Sequence, residues 1–323
     1  MPNNSENNFA GIEVALARMR GVVVAGSGEI IGRSESTYEP ENLIAAIADL
    51  TRELREAGEV KSVGLAIPGL VNRETDRVLI STGLPFTARD HIHADLMKAT
   101  GLRFELENDA NAAAYGEYKA GAGRDARDIF YMGIGDAIGG AMILDGKLWT
   151  GASGCAGEIG HITIDTEGVE CVCGNTGCLE TTCSGPNIVR RARERLNRDS
   201  TSSLSTLAMH EEFTAGDLAL AANNGDDFSV MMLERTGRSI GIAVASVINL
   251  LSLERIILGG TIMEAGDLIL APIIAEARKR SFQPCFEAAK IVSAELGADG
   301  VAIGAALLAR DTQQTRQPSE PTA

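Results

Sequence analysis

The chain has 323 residues, enough for one large or two ordinary domains with cores of their own. Hydrophobic residues make up 45% of it and the formal net charge is −15 at pH 7, a balance that suits a soluble globule. The charge argues against nucleic acid, whose phosphates call for Lys and Arg, and against adsorption to anionic membranes.

Residues 1–8 read as a disordered tail: the polar start MPNNSENN lacks the apolar stretch of a signal peptide. GIEVALARMRGVVVAGSGEIIGRSES follows, strand-like runs broken by Gly-Ser-Gly turn chemistry. Pro40–Glu59 places Leu43, Ile44, Ile47, Leu50 and Leu54 at helical spacing. Val63–Val71 reads as a buried strand ending in Pro68-Gly69, His93–Thr100 as a short helix and Arg103–Leu106 as a strand. Asp109 opens an Ala-rich helix to about Lys119, where a carboxylate can cap the helix and meet the positive end of its dipole.

The second half opens in the same way. DIFYMGIGDAIGGAMILDGKLWTG gives strand, turn, strand, Asp-Gly turn, strand, a weak internal repeat of the opening segment. Helices are expected at about Pro186–Asn197, Ala215–Ala222, Phe228–Leu251 and Gly266–Arg280, with strands at Arg255–Leu258 and Lys290–Ala294. The longest apolar run, Ser239–Ser252, is too short to span a bilayer and reads as core. A last helix at Gly300–Ala309 is expected to pack back on the first domain, before a polar tail at 311–323. Alternating strands and helices give an α/β fold with two domains, whose cleft is the default ligand site.

Between these halves lies GCAGEIGHITIDTEGVECVCGNTGCLE, Gly154–Glu180. His161, Cys171, Cys173 and Cys178 make a Cys3His set that meets the tetrahedral demand of structural zinc, with Gly174 and Gly177 allowing the sharp turns. A closed site of this kind pins a loop and does no chemistry. The plainer reading, free cysteines on a surface loop, leaves their clustering without a cause. Metal and a reducing compartment also explain the six cysteines better than a disulfide framework, which places the protein in the cytoplasm.

GEIGH with CVCGNTGCLE, ENDANAAAYGE at Glu107–Glu117, AIPGLVNRETDRVL at Ala66–Leu79 and LERIILGGTIMEAGDLILAPI at Leu253–Ile273 resemble, in order, the motifs of the ROK family of sugar kinases and related repressors. The resemblance implies an α/β fold of the two-domain actin/hexokinase type. A smaller domain would span 9–112, joined by a helix at about 299–310, and a larger one 113–298 would carry the zinc loop. It also implies homodimers or homotetramers. ROK repressors carry a DNA-binding helix-turn-helix before the sugar domain; the early first strand leads us to expect no such module here.

By position, the resemblance makes Asp109 the catalytic base and Gly69, Asn108, Asp109, Glu158, His161 and Glu180 the sugar ligands. His161 would give one ring nitrogen to zinc and the other to sugar. Carboxylates suit both tasks, accepting several hydroxyl hydrogen bonds or the proton of an attacking hydroxyl. Taken singly, Asp109 could be only a cap and Glu158 and Glu180 only solvated charges. Where many relatives have Asn before Leu-Pro, this chain has Gly83 beside Thr82.

The phosphate turns depart from the family. Asp-x-Gly-Gly-Thr is here Glu13-Val14-Ala15-Leu16-Ala17, and Gly-Thr-Gly-Ile-Gly-Gly-Gly is Gly135-Asp136-Ala137-Ile138-Gly139-Gly140-Ala141. Backbone approach to phosphate is reduced at the first. At the second, an Asp at 4 Å repels a phosphate charge by about 4 kcal/mol at an effective dielectric near 20, unless a metal lies between. Arg18 and Arg20 add positive charge nearby. Gly259-Gly260 keeps the family's adenosine turn, or is a plain strand-to-helix turn. The nucleotide candidates are therefore Glu13, Gly135, Asp136, Gly139, Gly259 and Gly260, for ATP with Mg2+. Three readings stand: an ATP-dependent hexose kinase acting on the 6-hydroxyl, a sugar-binding protein that has lost phosphoryl transfer, and another acid/base reaction at the sugar site. The resemblance implies a hexose or N-acetylhexosamine as the sugar.

Overall fold

The computed structural model describes residues 7–73, 75, 77–81, 84, 91–196, 202–210 and 213–316. They divide into two units, one of Met1–Arg124, Leu148–Ala156 and Glu295–Ala323, the other of Asp125–Lys147 and Gly157–Ala294.

The chain opens with β1 (Asn8–Ala15), β2 (Arg18–Val24), β3 (Ile30–Thr37), α1 (Leu43–Leu54) and β4 (Val60–Ile67). A small hairpin of β5 (Leu70–Asn72) and β6 (Arg77–Ile80) follows, then α2 (Ile92–Thr100), β7 (Arg103–Asn108) and α3 (Asp109–Ala120). Next come β8 (Ile129–Ile134), β9 (Ile138–Leu144), β10 (Lys147–Trp149), α4 (Glu180–Cys183), α5 (Gly185–Leu196), α6 (Leu204–His210), α7 (Ala215–Asn223) and α8 (Asp227–Leu251). The last elements are β11 (Arg255–Gly259), α9 (Asp267–Arg280), α10 (Gln283–Ala288), β12 (Lys290–Ser293) and α11 (Gly300–Arg316).

The first sheet has the order β3-β2-β1-β4-β7 and the second β10-β9-β8-β11-β12. Each begins as an antiparallel meander and is extended by parallel strands, β1 with β4 and β8 with β11. The internal repeat legible in the sequence is therefore a repeat of sheet topology. The Asp-Gly turn explains itself: Asp145 and Gly146 have φ of 53° and 72°, the two positive values that a type I′ hairpin turn needs.

Alternation along β1 and β2 splits the first sheet into two faces. Ile12, Val14 and Val23 pack with Ile47, Leu50 and Leu54 of α1 and Leu96 of α2. Val22 and Val24 face Ala302, Ile303 and Ala306 of α11 on the other side. There α11 lies directly on the strands, and a Cβ on Gly64 would overlap the Ala305 carbonyl oxygen. Helix α3 packs as closely on α11, with Gly304 against the Ala112 carbonyl oxygen. In the second unit α8 buries Met232, Leu233, Ile240, Val244 and Ile248, one helical stripe, and Asp226 caps it by accepting the Ser229 N–H at 2.8 Å.

Several elements differ from the expectations. Asn8 belongs to β1 and is buried, because β1 pairs with β4 from that residue on. The strand read over Val63–Val71 stops at Pro68-Gly69 as expected, and Leu70 and Val71 belong to β5; Gly69 has φ +121°, and a Cβ there would overlap the Ile80 carbonyl. Helix α11 continues past Ala309 to Arg316, and Asp311 on it accepts the Tyr115 hydroxyl and pairs with Arg310. The sequence reading divides the chain at 112/113, inside α3; the compact units divide after Arg124 and leave α3 whole. No helix among the described residues is long and apolar enough to cross a membrane.

Candidate functional site

In the first unit the parallel strand β7 delivers Glu107, Asn108 and Asp109 to the start of α3. Asn108, not Asp109, is the N-cap: its Oδ1 accepts the Asn111 N–H at 2.9 Å. Its Nδ2 donates to the Gly69 carbonyl at 2.9 Å and to Asp109 Oδ1 at 3.0 Å. Asp109 Oδ1 also accepts the Ala110 N–H at 2.8 Å, so two donors orient that carboxylate at the positive end of the helix. Gly69, Asn108 and Asp109 thus form one hydrogen-bonded group.

Glu107 supports this group from behind. It is almost fully buried, accepts from the Asn108 N–H at 3.0 Å and the Asn111 amide at 2.9 Å, and pairs with Arg73 at 3.2 Å. Burial pushes its carboxyl above the usual range, and Arg73 opposes the shift. Glu117, later in α3 and also buried, accepts the N–H groups of Ala122, Glu295 and Leu296. Sequence reasoning assigned neither residue a role, although both lie inside the quoted ENDANAAAYGE motif.

The first turn that the resemblance assigns to phosphate closes in the two-residue β1–β2 connection, Leu16-Ala17. Ala17 has φ 62°, a left-handed conformation that costs a residue with a Cβ roughly 1–2 kcal/mol. Tyr38 holds the turn by donating to the Ala15 carbonyl at 2.7 Å. Glu13 faces Arg20 across the hairpin. Its carboxyl is pushed up to about 7 by burial; Arg20 and Arg18 pull it down, while Asp109 and Asp299 push it further up.

In the second unit the GEIGH segment lies flat on β9. A Cβ on Gly157 would overlap the Gly140 carbonyl, and one on Gly160 the Ile138 carbonyl, so the two glycines permit the approach. One turn of 3-10 helix, Ile159–His161, sets Glu158 and His161 beside each other, with Oε2 and Nε2 3.9 Å apart. Burial raises the Glu158 carboxyl; His161 lowers it and Glu180 raises it again.

The other nitrogen of His161, Nδ1, lies 3.6 Å from Cys171 Sγ, and Cys173 Sγ lies 3.7 Å from Cys178 Sγ. All four donor atoms fall within 4.8 Å of one another. A tetrahedral zinc with bonds of about 2.3 Å to sulfur requires donor separations of roughly 3.8 Å, so the donor set fits that ion. The knuckle is turned by Gly174, φ +87°, and Gly177, φ +70°, where a Cβ would overlap the Asp165 carbonyl.

Glu180 starts α4 two residues after Cys178, and its Oε2 accepts the Ile138 N–H at 2.9 Å. That bond joins it to the β8–β9 turn, the second that the resemblance assigns to phosphate, where Asp136 is exposed and Gly139 pairs with Gly133 in the sheet. Gly259 pairs with the other side of Gly133, and Gly260, φ +96°, turns the chain out of β11 against the Ile134 backbone. The expected residues therefore fall into two groups: Glu13, Gly69, Asn108 and Asp109 in the first unit, and Gly135, Asp136, Gly139, Glu158, His161, Glu180, Gly259, Gly260 and the cysteines in the second. Thr82 and Gly83 lie outside the described residues.

Two sheets of the same topology, one ending in Asn-Asp at a helix start and one bearing a Cys3His knuckle, define an α/β chain of the two-domain actin/hexokinase-like class. The model of the ROK family matches residues 9–312, and the chain belongs to that family. It is 30% identical to the glucokinase of Halalkalibacterium halodurans over 98% of this chain and 99% of that one. A ROK family glucokinase from Streptomyces griseus, solved with glucose and AMPPNP, is 29% identical with a TM-score of 0.85, covering 94% of this chain and 100% of that chain. A ROK family transcriptional regulator described as a homolog of the Escherichia coli Mlc protein matches with the same identity and TM-score, over 95% of this chain and 78% of that chain.

Proposed function

We propose that this chain is a sugar kinase of the glucokinase type, transferring the γ-phosphoryl group of ATP to the 6-hydroxyl of a hexose or N-acetylhexosamine. The observation that carries the reading is the Gly69–Asn108–Asp109 group, which orients one carboxylate at a helix start. Asp109 acts as general base on the attacking hydroxyl, and Gly69, Asn108, Glu158, His161 and Glu180 bind the remaining hydroxyls. Mg2+, when bound with ATP, neutralises charge on the phosphates. Glu13 and Asp136 are the carboxylates offered to it, and the Gly135–Gly139 and Gly259–Gly260 turns are the backbone offered to the nucleotide.

We assign a structural zinc to His161 Nδ1 and the thiolates of Cys171, Cys173 and Cys178. It leaves His161 Nε2 for the sugar and holds Glu158 and Glu180 through the loop it closes. None of the six cysteines is joined in a disulfide, which supports the cytoplasmic location we propose. Self-association is proposed on the family resemblance, and Leu250 and Phe282, both largely exposed, offer apolar surface for it.

A second reading, a sugar-binding protein without phosphoryl transfer, is favoured by the first phosphate turn. Ala15 and Leu16 carry side chains where the family has glycines, Ala17 lacks the family's Thr hydroxyl, and burial raises the Glu13 carboxyl to about 7. The test is incubation with Mg-ATP and a panel of hexoses and N-acetylhexosamines, with sugar phosphate detected by mass. Product that falls 100-fold or more in Asp109→Asn supports the kinase. Absence of product, with a sugar that still raises the melting temperature, supports the second reading. Neither product nor stabilisation by any sugar sinks both.

A further inference from the structure

Helix α4 is a single turn, Glu180–Cys183; the Glu180 carbonyl accepts the Ser184 N–H at 3.2 Å, and a turn this short leaves room for outside donors at its carbonyls. Helix α5 supplies them. Asn187 Nδ2 donates to the Glu180 carbonyl at 3.0 Å, Arg190 Nη2 to the Thr181 carbonyl at 3.1 Å and Arg191 Nη1 to the Thr182 carbonyl at 2.8 Å. Three consecutive carbonyls are thus held, in order, by side chains at i, i+3 and i+4 of one helical face. Asn187 Oδ1 also accepts from Arg190 Nε at 3.3 Å, and Arg191 reaches Thr236 of α8 at 3.3 Å, which ties the row to the core of the unit.

The same short segment grips the second phosphate turn at both ends. Glu180 Oε2 accepts the Ile138 N–H at 2.9 Å, and the Gly185 N–H donates to the Gly135 carbonyl at 2.7 Å.

We propose that Asn187, Arg190 and Arg191 are positioning residues for Glu180, which through Ile138 makes the sugar-facing carboxylate and the Gly135–Ile138 turn one piece. The proposal rests on the reading of Glu180 as a sugar ligand and of that turn as a phosphate turn. Its consequence is that loosening α4 weakens sugar and nucleotide together, without touching either.

The test reads the Ile138 amide directly, by hydrogen exchange, in the full chain. Arg190→Met and Arg191→Met keep the apolar stem and remove the donors; Arg193→Met, on an exposed neighbouring position, is the control. We expect each donor variant to speed Ile138 exchange tenfold or more, with zinc content and the exchange of β8 unchanged and the control silent. In a Glu180→Ala background Ile138 exchange is already fast, and the same variants add nothing. Unchanged Ile138 exchange in the donor variants overturns the proposal, as does an equal effect with and without Glu180. If a donor variant does not fold, Asn187→Ala in the two backgrounds decides by the same criterion. KM values for sugar and ATP that rise together, with kcat held within twofold, extend the result to the reaction. A wild-type chain that binds no sugar overturns the functional reading instead, while the exchange cycle still reports on Glu180 and the turn.

Discussion

Glu13 and Arg20 are cross-strand partners on β1 and β2, yet the Arg20 guanidinium is directed elsewhere: Nε donates to Glu35 at 2.6 Å and Nη1 to the Ala298 carbonyl. Asp299 shares Arg20 at 3.7 Å and takes Arg33 at 2.8 Å. Burial therefore wins at Glu13, and its carboxyl rises to about 7 although an arginine stands opposite.

A carboxyl raised in the folded state binds its proton more tightly there than in the unfolded chain. Its contribution to stability is complete below the ordinary value of 4.5 and is lost as pH rises through about 7. Charging it in place costs up to about 3 kcal/mol at alkaline pH. Glu13→Gln should therefore match the wild type in melting temperature near pH 4.5 and exceed it at pH 8. Melting curves of both proteins from pH 4.5 to 8 check this, and a constant difference across the range would refute it.

Ala17 pays for a left-handed backbone with its Cβ. Glycine adopts that conformation freely, at some cost in unfolded-state entropy. We expect Ala17→Gly to stabilise the chain by about 0.5–1 kcal/mol in urea unfolding. Any loss of stability would mean that the Ala17 methyl makes packing contacts worth more than the strain.

The α3–α11 crossing leaves no room at Gly304, where a Cβ would overlap the Ala112 carbonyl. Gly304→Ala should cost about 3 kcal/mol, because both neighbours are backbone and neither can rotate away. Equilibrium unfolding by urea measures it. Gly101→Ala is not an equivalent control, since Gly101 has open space but a positive φ. Gly135→Ala, with open space and no such φ, isolates the crowding.

Much of this was legible because short-range chemistry controls it. The meanders announce themselves by Asp145-Gly146 and Gly26-Ser27-Gly28, and α8 by a stripe repeated over 25 residues. The knuckle could be read from ligand types and glycines alone. What escaped depends on partners distant in sequence. Nothing local shows that Arg20 answers to Glu35, the Ala298 carbonyl and the Asp299 carboxylate, so the state of Glu13 was hidden. Helix α4 has one turn and no periodicity to detect, and the RRARER run reads as a charged helix face until α4 is placed against it.

The last prediction concerns the metal. Nδ1 of His161 sits among the thiols while Nε2 faces Glu158, so one ring joins the knuckle to the carboxylates. Three cysteines held together without an ion leave the loop to its few backbone bonds, among them Leu179 N–H to the Ile162 carbonyl at 2.9 Å and Ile164 N–H to the Gly177 carbonyl at 2.9 Å. Purified protein should carry one zinc per chain by elemental mass spectrometry. Chelation should raise the proteolytic sensitivity of 161–183 and weaken sugar binding at least tenfold, the range that disturbing the surroundings of a metal site commonly produces. Cys173→Ser should reproduce both effects at neutral pH, since a hydroxyl does not ionise to replace the thiolate. A metal-free chain with full sugar affinity would show instead that backbone bonds alone set the positions of His161 and Glu180.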